Sequence, residues 1–284
     1  MFEVTFETTD KNAWIRKICA ARQIHKEGEP VRLSFHSRIR VEDLYPIHLT
    51  TLACLIQHFS DKRIDVYLND ENREVYEYLY NDLQLSEYWA HDAKNHVDAR
   101  TDNRIFNLWR IRREEMDLYA MEVERYFKRV YFHDRDLSGL SMSMCEAFYN
   151  VYDHAKANGN AFSFIRYDET RQKIHIAICD FGCGLCNKVK EYVPEIQTDT
   201  DAMKRAIENN FTTKSTMRNK GKGLDNILSY SDAARLFSGT SLLVKLSESL
   251  KLYSVDYAFQ GTLIYFEVNL SKSDKEEYIQ DLEL

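Results

Sequence analysis

Residues 173–184 read KIHIAICDFGCG, and this stretch decides how the second half of the chain is interpreted. Its first part is a short apolar run that predicts a buried strand. The run ends at Asp180, and Gly182 and Gly184 follow at alternate positions. A carboxylate at a strand end can accept a hydrogen bond from an exocyclic amine, and glycines let the backbone approach a flat ring or a phosphate closely. The same pattern also occurs in ordinary turns, so the neighbouring segments must decide its meaning.

The preceding segment, residues 137–156, predicts a helix with two unlike faces. Apolar side chains recur on one face at helical spacing, which indicates contact with a core. On the other face Glu146, Asn150 and Asp153 stand at positions i, i+4 and i+7, and no lysine or arginine lies between positions 138 and 155. An acid, an amide and a second acid without basic neighbours favour a metal or water-activating site. An ordinary solvated face is the alternative.

A third polar segment lies further along the chain. It reads FTTK at residues 211–214 and KGKGL at residues 220–224, where a helix is predicted to begin. Glycines ahead of a helix leave amide donors pointing outward, and the neighbouring lysines add positive charge, so a phosphate is the expected ligand. A loop whose lysines face water is the alternative interpretation.

The order and spacing of these segments resemble the GHKL superfamily of ATPases and kinases, which includes the gyrase B subunit, histidine kinases, MutL and anti-sigma-factor kinases. The likeness covers about residues 105–270. In this chain EAFYNVYDHA resembles the family's N box, the helical motif named for its asparagine. DFGCG resembles the first glycine box, FTTK the lid and GKGL the second glycine box. Gly261 and Thr262, before the strand LIYFEV, are similar to the last nucleotide-side segment of the family. The resemblance implies a Bergerat-type α/β sandwich of class α+β, with a mixed sheet and helices on one face.

The resemblance also implies ATP and Mg²⁺ as ligands and a role for each matching residue. Glu146 would be the catalytic base that orients water, Asn150 would hold Mg²⁺, and Asp180 would accept a hydrogen bond from the adenine amine. The other residues that it places at the ATP site are Asp153, His154, Gly182, Gly184, Thr212, Thr213, Lys214, Lys220, Gly221, Gly223, Leu224 and Thr262.

Two departures from the family narrow the expected activity. Gyrase-like members take a phosphate-sensing lysine from a following domain, whereas this sequence ends at Leu284, which argues against fast hydrolysis. Histidine kinases carry a phosphoacceptor histidine in a preceding helical hairpin, but only one clear helix is predicted between positions 102 and 137. We therefore expect an ATP-gated regulatory switch with slow ATP hydrolysis, in which ATP orders a lid at residues 199–222.

Two other functions stay open, and with them the question of whether the chain is an enzyme. His154 is the side chain seen in anti-sigma-type relatives, so a protein serine/threonine kinase is the first alternative. A non-catalytic interaction module with a degenerate pocket is the second. ATP and a regulatory protein are the expected partners, and a homodimer stays open.

The first half of the chain follows a different pattern. Up to about residue 90, β-branched runs alternate with helical spacings, which predicts a small α/β layer. The order of its elements resembles the STAS-like modules that accompany bacterial regulatory ATPases. The polar segment HDAKNHVDARTD, residues 91–102, is interpreted as the connection, which divides the chain into a module at 1–95 and an ATP-binding domain at 96–284.

Composition bears on the remaining classes of function. Of the 284 residues, 44% are apolar and 29% are charged, with only three prolines, which is typical of an ordered globular protein. A net charge of −7 disfavours nucleic-acid binding. No run approaches the ~20 apolar residues of a membrane span, so we expect no membrane association and a cytoplasmic location. The six cysteines lack the spacing of a secreted disulfide scaffold.

The apolar spacing also predicts the limits of the main elements. Helices are predicted at residues 12–25, 49–59, 71–83, 113–130, 137–156, 201–210 and 223–236. Strands are predicted at residues 4–8, 31–36, 63–68, 106–111, 161–167, 173–180, 242–245, 252–257 and 262–270.

Overall fold

A computed structural model describes residues 1–24, 28–88, 102–155, 161–208 and 223–271, with the backbone alone at positions 24, 86, 88, 153–155 and 223. Its strands are β1 (Phe2–Phe6), β2 (Val31–Phe35), β3 (Val66–Leu68), β4 (Ile105–Ile111), β5 (Ala161–Asp168), β6 (Lys173–Cys179), β7 (Ala233–Leu246) and β8 (Ser249–Asn269). Its α-helices are α1 (Lys11–Ile24), α2 (Pro46–Asp61), α3 (Arg73–Glu77), α4 (Met116–Val130), α5 (Ser138–Ala155), α6 (Leu185–Tyr192), α7 (Asp199–Ala206) and α8 (Gly223–Tyr230).

The first half of the chain forms a small parallel sheet in the order β1-β2-β3. Val31 of β2 pairs with Phe2 on one side and with Val66 on the other. Parallel neighbours require a crossover, which α1 provides between β1 and β2 and α2 provides between β2 and β3. The predicted alternation of strands and helices is therefore confirmed. The helix predicted at 71–83 is instead the short α3 followed by a π-helical turn at Tyr78–Asp82.

The second half forms a five-stranded sheet in the order β4-β5-β6-β8-β7. Every pair of neighbouring strands in it is antiparallel, so the expectation of a mixed sheet for this half is wrong. For two of the four neighbouring pairs the reason lies in the connections. The turn between β5 and β6 and the turn between β7 and β8 are too short for a crossover, so each folds its strand back on the preceding strand. With the small parallel sheet, the fold is α+β.

The last part of the chain differs from its predicted limits. The helix predicted at 223–236 ends at Tyr230, and a long strand begins at Ala233. Ala234 and Leu236 are buried while Ala233 and Arg235 are less so, which is the two-residue period of a strand and not a helical one. The three short strands predicted after it are segments of the long hairpin β7–β8.

Helices cover both faces of the large sheet: the helices of the second half lie on one face, as expected, and α1 and α2 of the first half cover the other. The core on one face contains α4, α5 and α8 side chains together with Ile176 and Ile178 of β6. The core on the other face contains α1 and α2 side chains together with Ala177 and Cys179, the alternate residues of the same strand. The small module and the large sheet therefore share one continuous core.

The helix α2 lies between the two sheets, and its composition reflects this position. Nearly all of its side chains are buried, from Pro46 to Phe59. A helix that is apolar on every side has to be enclosed by protein on every side. None of the helices in the described ranges combines the length and apolarity needed to cross a bilayer.

Candidate functional site

Among the described acidic residues, Asp180 is the most completely buried, and none of its surface is exposed. It follows β6, and the register that pairs Cys179 with Leu263 places it opposite Thr262 of β8. Its Oδ1 accepts a hydrogen bond from the backbone N–H of Gly182 at 2.6 Å, and its Oδ2 accepts one from the backbone N–H of Thr262 at 3.1 Å. Both carboxylate oxygens are therefore held in a fixed orientation by backbone donors.

The environment of Asp180 also changes its acidity. Burial raises the pKa of Asp180 to about 7, against the opposing effects of its two backbone hydrogen bonds and of the Arg22 guanidinium. At a pH near this value both the protonated and the ionised forms of the carboxyl group are populated. Strongly raised carboxyl pKa values are concentrated at functional positions, although structural networks produce them too.

Two glycines allow the loop after β6 to approach β8. Gly261 has a φ of +101°, and a Cβ atom there would lie 2.0 Å from the carbonyl oxygen of Asp180. Gly184 has a φ of +82°, and a Cβ atom there would lie 2.6 Å from the carbonyl oxygen of Gly261. Neither the backbone conformation nor the space admits another residue. The glycine at position 184 is thus explained by the close approach of the loop after β6 to Gly261 of β8.

Side-chain hydroxyl groups tie this loop to the following helix. The Oγ1 atom of Thr262 accepts a hydrogen bond from the N–H of Leu185, the first residue of α6, at 3.1 Å. The Oγ atom of Ser238 accepts from the N–H of Cys186 and donates to the carbonyl of Gly261, both at 3.1 Å. The sequence did not indicate Ser238 or α6, because the partners of Ser238 are 23 and 52 positions away.

Glu146 and Asn150 lie on α5, on a side that is only partly buried. The opposite side of α5 packs on the sheet through Ala147, Phe148 and Val151. Nδ2 of Asn150 donates a hydrogen bond to the carbonyl of Glu146 at 2.8 Å, and no described residue donates to its Oδ1. Burial raises the pKa of Glu146 above its ordinary value. The helix therefore presents an amide oxygen and a weakened acid one turn apart.

The α8 helix packs beside α5, and its first residues are the predicted glycine-box residues Gly223 and Leu224. Leu224 is buried in the same core as Phe148 of α5. Asp180 also acts on α5, because the pKa of Tyr152 is raised first by burial and then by the carboxylates of Glu115 and Asp180. The helices α5 and α8, which carry two of the predicted motifs, thus pack together on the same face of the sheet.

The predicted site residues differ in how closely the structure joins them. Asp180, Gly182, Gly184 and Thr262 form one cluster of backbone contacts. No described contact joins Glu146 or Asn150 to that cluster. The remaining predicted residues, Thr212, Thr213, Lys214, Lys220 and Gly221, lie outside the described residues, as do the side chains of Asp153 and His154.

The small module contacts the same strand end from the opposite face of the sheet. The guanidinium carbon of Arg22, on α1, lies 4.6 Å from the ring centroid of Phe181. The ring of His58, on α2, meets Phe181 edge-on at 6.2 Å. Sγ of Cys54 donates to the carbonyl of Cys179 at 3.3 Å. No sequence pattern indicates these contacts, because each joins residues more than a hundred positions apart.

Neither a scan against protein-family models nor a search of curated proteins returned a match for this chain. Any functional proposal must therefore rest on the chemistry of the site and on the resemblance of its motifs. The donor and acceptor groups described above are the observations available for that purpose.

Proposed function

We propose that the second half of the chain is a Bergerat-type domain of the GHKL class that binds ATP with Mg²⁺. The observation that carries this proposal is the buried carboxylate of Asp180, which two backbone N–H groups hold at the end of a central strand. An ionised carboxylate has more acceptor positions than these two bonds use, so it could also accept from an exocyclic amine after a movement of the surrounding side chains that exposes it. An adenine amine is such a donor.

The chemistry of α5 is consistent with the phosphate end of this pocket. The Oδ1 atom of Asn150 is a hard oxygen ligand of the kind that Mg²⁺ prefers. When bound, Mg²⁺ would neutralise phosphate charge. Glu146, whose pKa is raised by burial, would act as a base closer to neutral pH than an ordinary glutamate. Gly223 and Leu224 open α8, whose first amide groups would face the phosphates.

The biological role that we favour is an ATP-gated regulatory switch with slow hydrolysis. The direct contact of α1 and α2 with the strand end at Cys179 and Phe181 supports it. Through that contact a change at the nucleotide pocket would reach the small STAS-like module, which would dock a regulatory protein. The proposal thus assigns a chemical role to one half and a docking role to the other.

The pocket is tested by calorimetric titration of ATP into the full chain, with and without Mg²⁺. We expect the wild-type protein to bind Mg–ATP. We expect D180N to bind it with an affinity at least about tenfold to a hundredfold lower, because a hydrogen bond to a charged group is removed. The control is D43N, the same change at an exposed position. Unchanged binding by D180N, with its fold verified by circular dichroism, would contradict the pocket.

The roles of the two α5 residues are tested separately. N150A should lose the dependence of binding on Mg²⁺, because the amide oxygen is absent. E146A should bind ATP as the wild type does but release phosphate at least about a hundredfold more slowly, in line with the usual contribution of a general base. Turnover that survives in E146A would remove Glu146 from the role of base.

The alternative of a protein serine/threonine kinase is favoured by the same adjacency of an α/β module to the candidate ATP site. Incubation with ATP labelled in the γ-phosphate separates the two functions. Label that appears on protein supports a kinase, whereas label that appears only as free phosphate supports the switch. If the protein neither binds ATP nor releases the label, the result supports the non-catalytic interaction module.

A further inference from the structure

A cavity lies between the small module and the large sheet, next to the strand end that carries Asp180. Its volume is about 250 Å³. Residues of α1 and α2, the residue after Asp180 and a segment of β8 line it: Ile18, Cys19, Arg22, Gln23, His58, Lys62, Phe181, Ala258, Phe259 and Gln260. Two of these are chain neighbours of the site itself, since Phe181 follows Asp180 and Gln260 precedes Gly261.

The polar side of this cavity is cationic. Arg22 and Lys62 both line it, and none of the described lining residues is acidic. Arg22 makes no ion pair with any described residue. Its Nε donates to Nδ1 of His58 at 3.3 Å, so that this histidine nitrogen accepts and carries no proton. Burial lowers the pKa of Arg22, which means that its charge is poorly solvated and that a counter-ion would stabilise it.

The other side of the cavity is apolar and includes two aromatic rings. Phe181 and Phe259 meet edge-to-face with their centroids 5.6 Å apart. Ile18 and Ala258 extend this surface. A cavity of this size is smaller than the usual pocket for a drug-sized ligand, so it suits a molecule of about ten heavy atoms. An occupant that matches both sides has one anionic group and a flat apolar body.

We propose that this cavity is a binding site for a small organic carboxylate, with its charged group on Arg22 and Lys62 and its apolar body against Phe181 and Phe259. A planar guanidinium pairs with a carboxylate through parallel hydrogen bonds, which gives both affinity and orientation. Such a ligand would be held by both halves of the chain at once.

The position of the cavity gives its occupant a route to the nucleotide site, a consequence that rests on the function proposed above. Arg22 now lies over the ring of Phe181, and its charge favours the ionised form of Asp180. A carboxylate bound to Arg22 would oppose that charge. The occupant should therefore weaken ATP binding, and by linkage ATP should weaken binding of the occupant by the same factor.

Benzoate is the probe for the site itself, and benzamide is its uncharged counterpart. We expect benzoate to bind the nucleotide-free full chain in an NMR titration and benzamide to bind at least about tenfold more weakly, as for a lost charge-assisted hydrogen bond. R22Q should lose benzoate affinity by a similar factor, whereas R38Q, which changes an exposed arginine of the same module, should retain it.

Equal binding of benzoate and benzamide, or no binding of either, would overturn the proposal. If R22Q does not fold, K62Q is the variant to test, because Lys62 is exposed at the end of α2. Loss of this lysine should weaken benzoate binding severalfold. Full benzoate affinity in K62Q would then count against the site. None of these measurements contains ATP, so they stand even if the proposed nucleotide pocket fails.

Discussion

At the scale of single residues, the behaviour of Asp180 follows from a contest between burial and hydrogen bonding. Removal from water disfavours its ionised form, while the N–H groups of Gly182 and Thr262 favour it. Burial prevails, and the resulting pKa of about 7 lies above the ordinary value of 3.8. A group whose pKa is raised by folding stabilises the fold most when it is protonated.

The first prediction concerns stability and pH. The contribution of protonated Asp180 is fully present below pH 3.8 and is lost as the pH rises through about 7. In D180N the neutral amide shows no such loss, but its NH₂ group faces one backbone N–H donor, which costs about 1–3 kcal/mol. Urea unfolding should therefore show D180N less stable than wild type at pH 5, with a smaller difference at pH 8. A difference that is the same at both pH values would contradict this account.

The second prediction concerns Gly261, whose missing side chain leaves room for the carbonyl of Asp180. G261A should destabilise the protein by more than G28A, because both glycines have a positive φ but only Gly261 has a neighbour within reach of a Cβ atom. The conformational cost at either position is about 1–2 kcal/mol, and the clash should add about 1–3 kcal/mol at Gly261. Chemical denaturation measures both variants, and equal losses would show that the close approach is relaxed.

At the scale of elements, the arrangement of α5 and α8 positions both predicted phosphate-side segments. Gly139, in the first turn of α5, lies against the ring of Tyr230 at the end of α8, and a Cβ atom there would lie 2.3 Å from Cε2 of that ring. The two helices are therefore in contact where α8 ends, and α8 runs back along α5 to Gly223. The glycine at position 139 leaves room for this ring between the two helices.

A third prediction follows for the pair Gly139 and Tyr230. Alanine favours a helix interior by about 1 kcal/mol over glycine, yet G139A should destabilise the protein by about 1–3 kcal/mol because the helices are overpacked. With Y230A in the background the ring is gone, and the same change should become neutral or stabilising. A double-mutant cycle by thermal unfolding measures the coupling. Additive effects of the two changes would indicate that the helices do not meet there.

At the scale of the whole molecule, the two halves share one of the two cores, whereas the other core is formed by the second half alone. Residues such as Phe162 and Phe164 of β5 and Leu263 of β8 belong to the core that α1 and α2 complete. Polar contacts follow the same interface, since Nη1 of Arg166 donates to the carbonyl of Glu42 at 2.8 Å. Separation of the halves would expose one full face of the large sheet to water.

The fourth prediction is that the chain unfolds as one cooperative unit. Calorimetry should show a single transition with equal calorimetric and van't Hoff enthalpies, because the core that covers one face of the large sheet contains residues of both halves. A fragment of residues 102–271 should bind a dye for exposed apolar surface and should aggregate, whereas the intact chain should not. Two resolved transitions, or a stable monomeric fragment, would show that the halves are independent.

Local pattern was sufficient to predict much of the candidate site. The strand before Asp180 and the helix that carries Glu146 and Asn150 lie within one or two residues of their predicted limits. Their apolar spacing is long and regular, and it is satisfied by any core on the appropriate side. The pattern failed at residues 231–236, where alternating burial in β7 replaced the expected helix. A short segment of mixed polarity fits both the helical and the strand period, and pairing with β8 makes this one a strand.

The sequence by itself therefore determined the types of the main elements and the order of the motif residues along the chain. Only the tertiary structure decided that Gly261 meets Asp180, that Ser238 supports the loop, that the large sheet is wholly antiparallel, and that Arg22 lies behind Phe181. The physical reason is the separation of the partners along the chain. Helical and strand periods are properties of neighbouring residues, whereas the contacts of Gly261, Ser238 and Arg22 join residues 23 to 159 positions apart and form only when particular faces pack together.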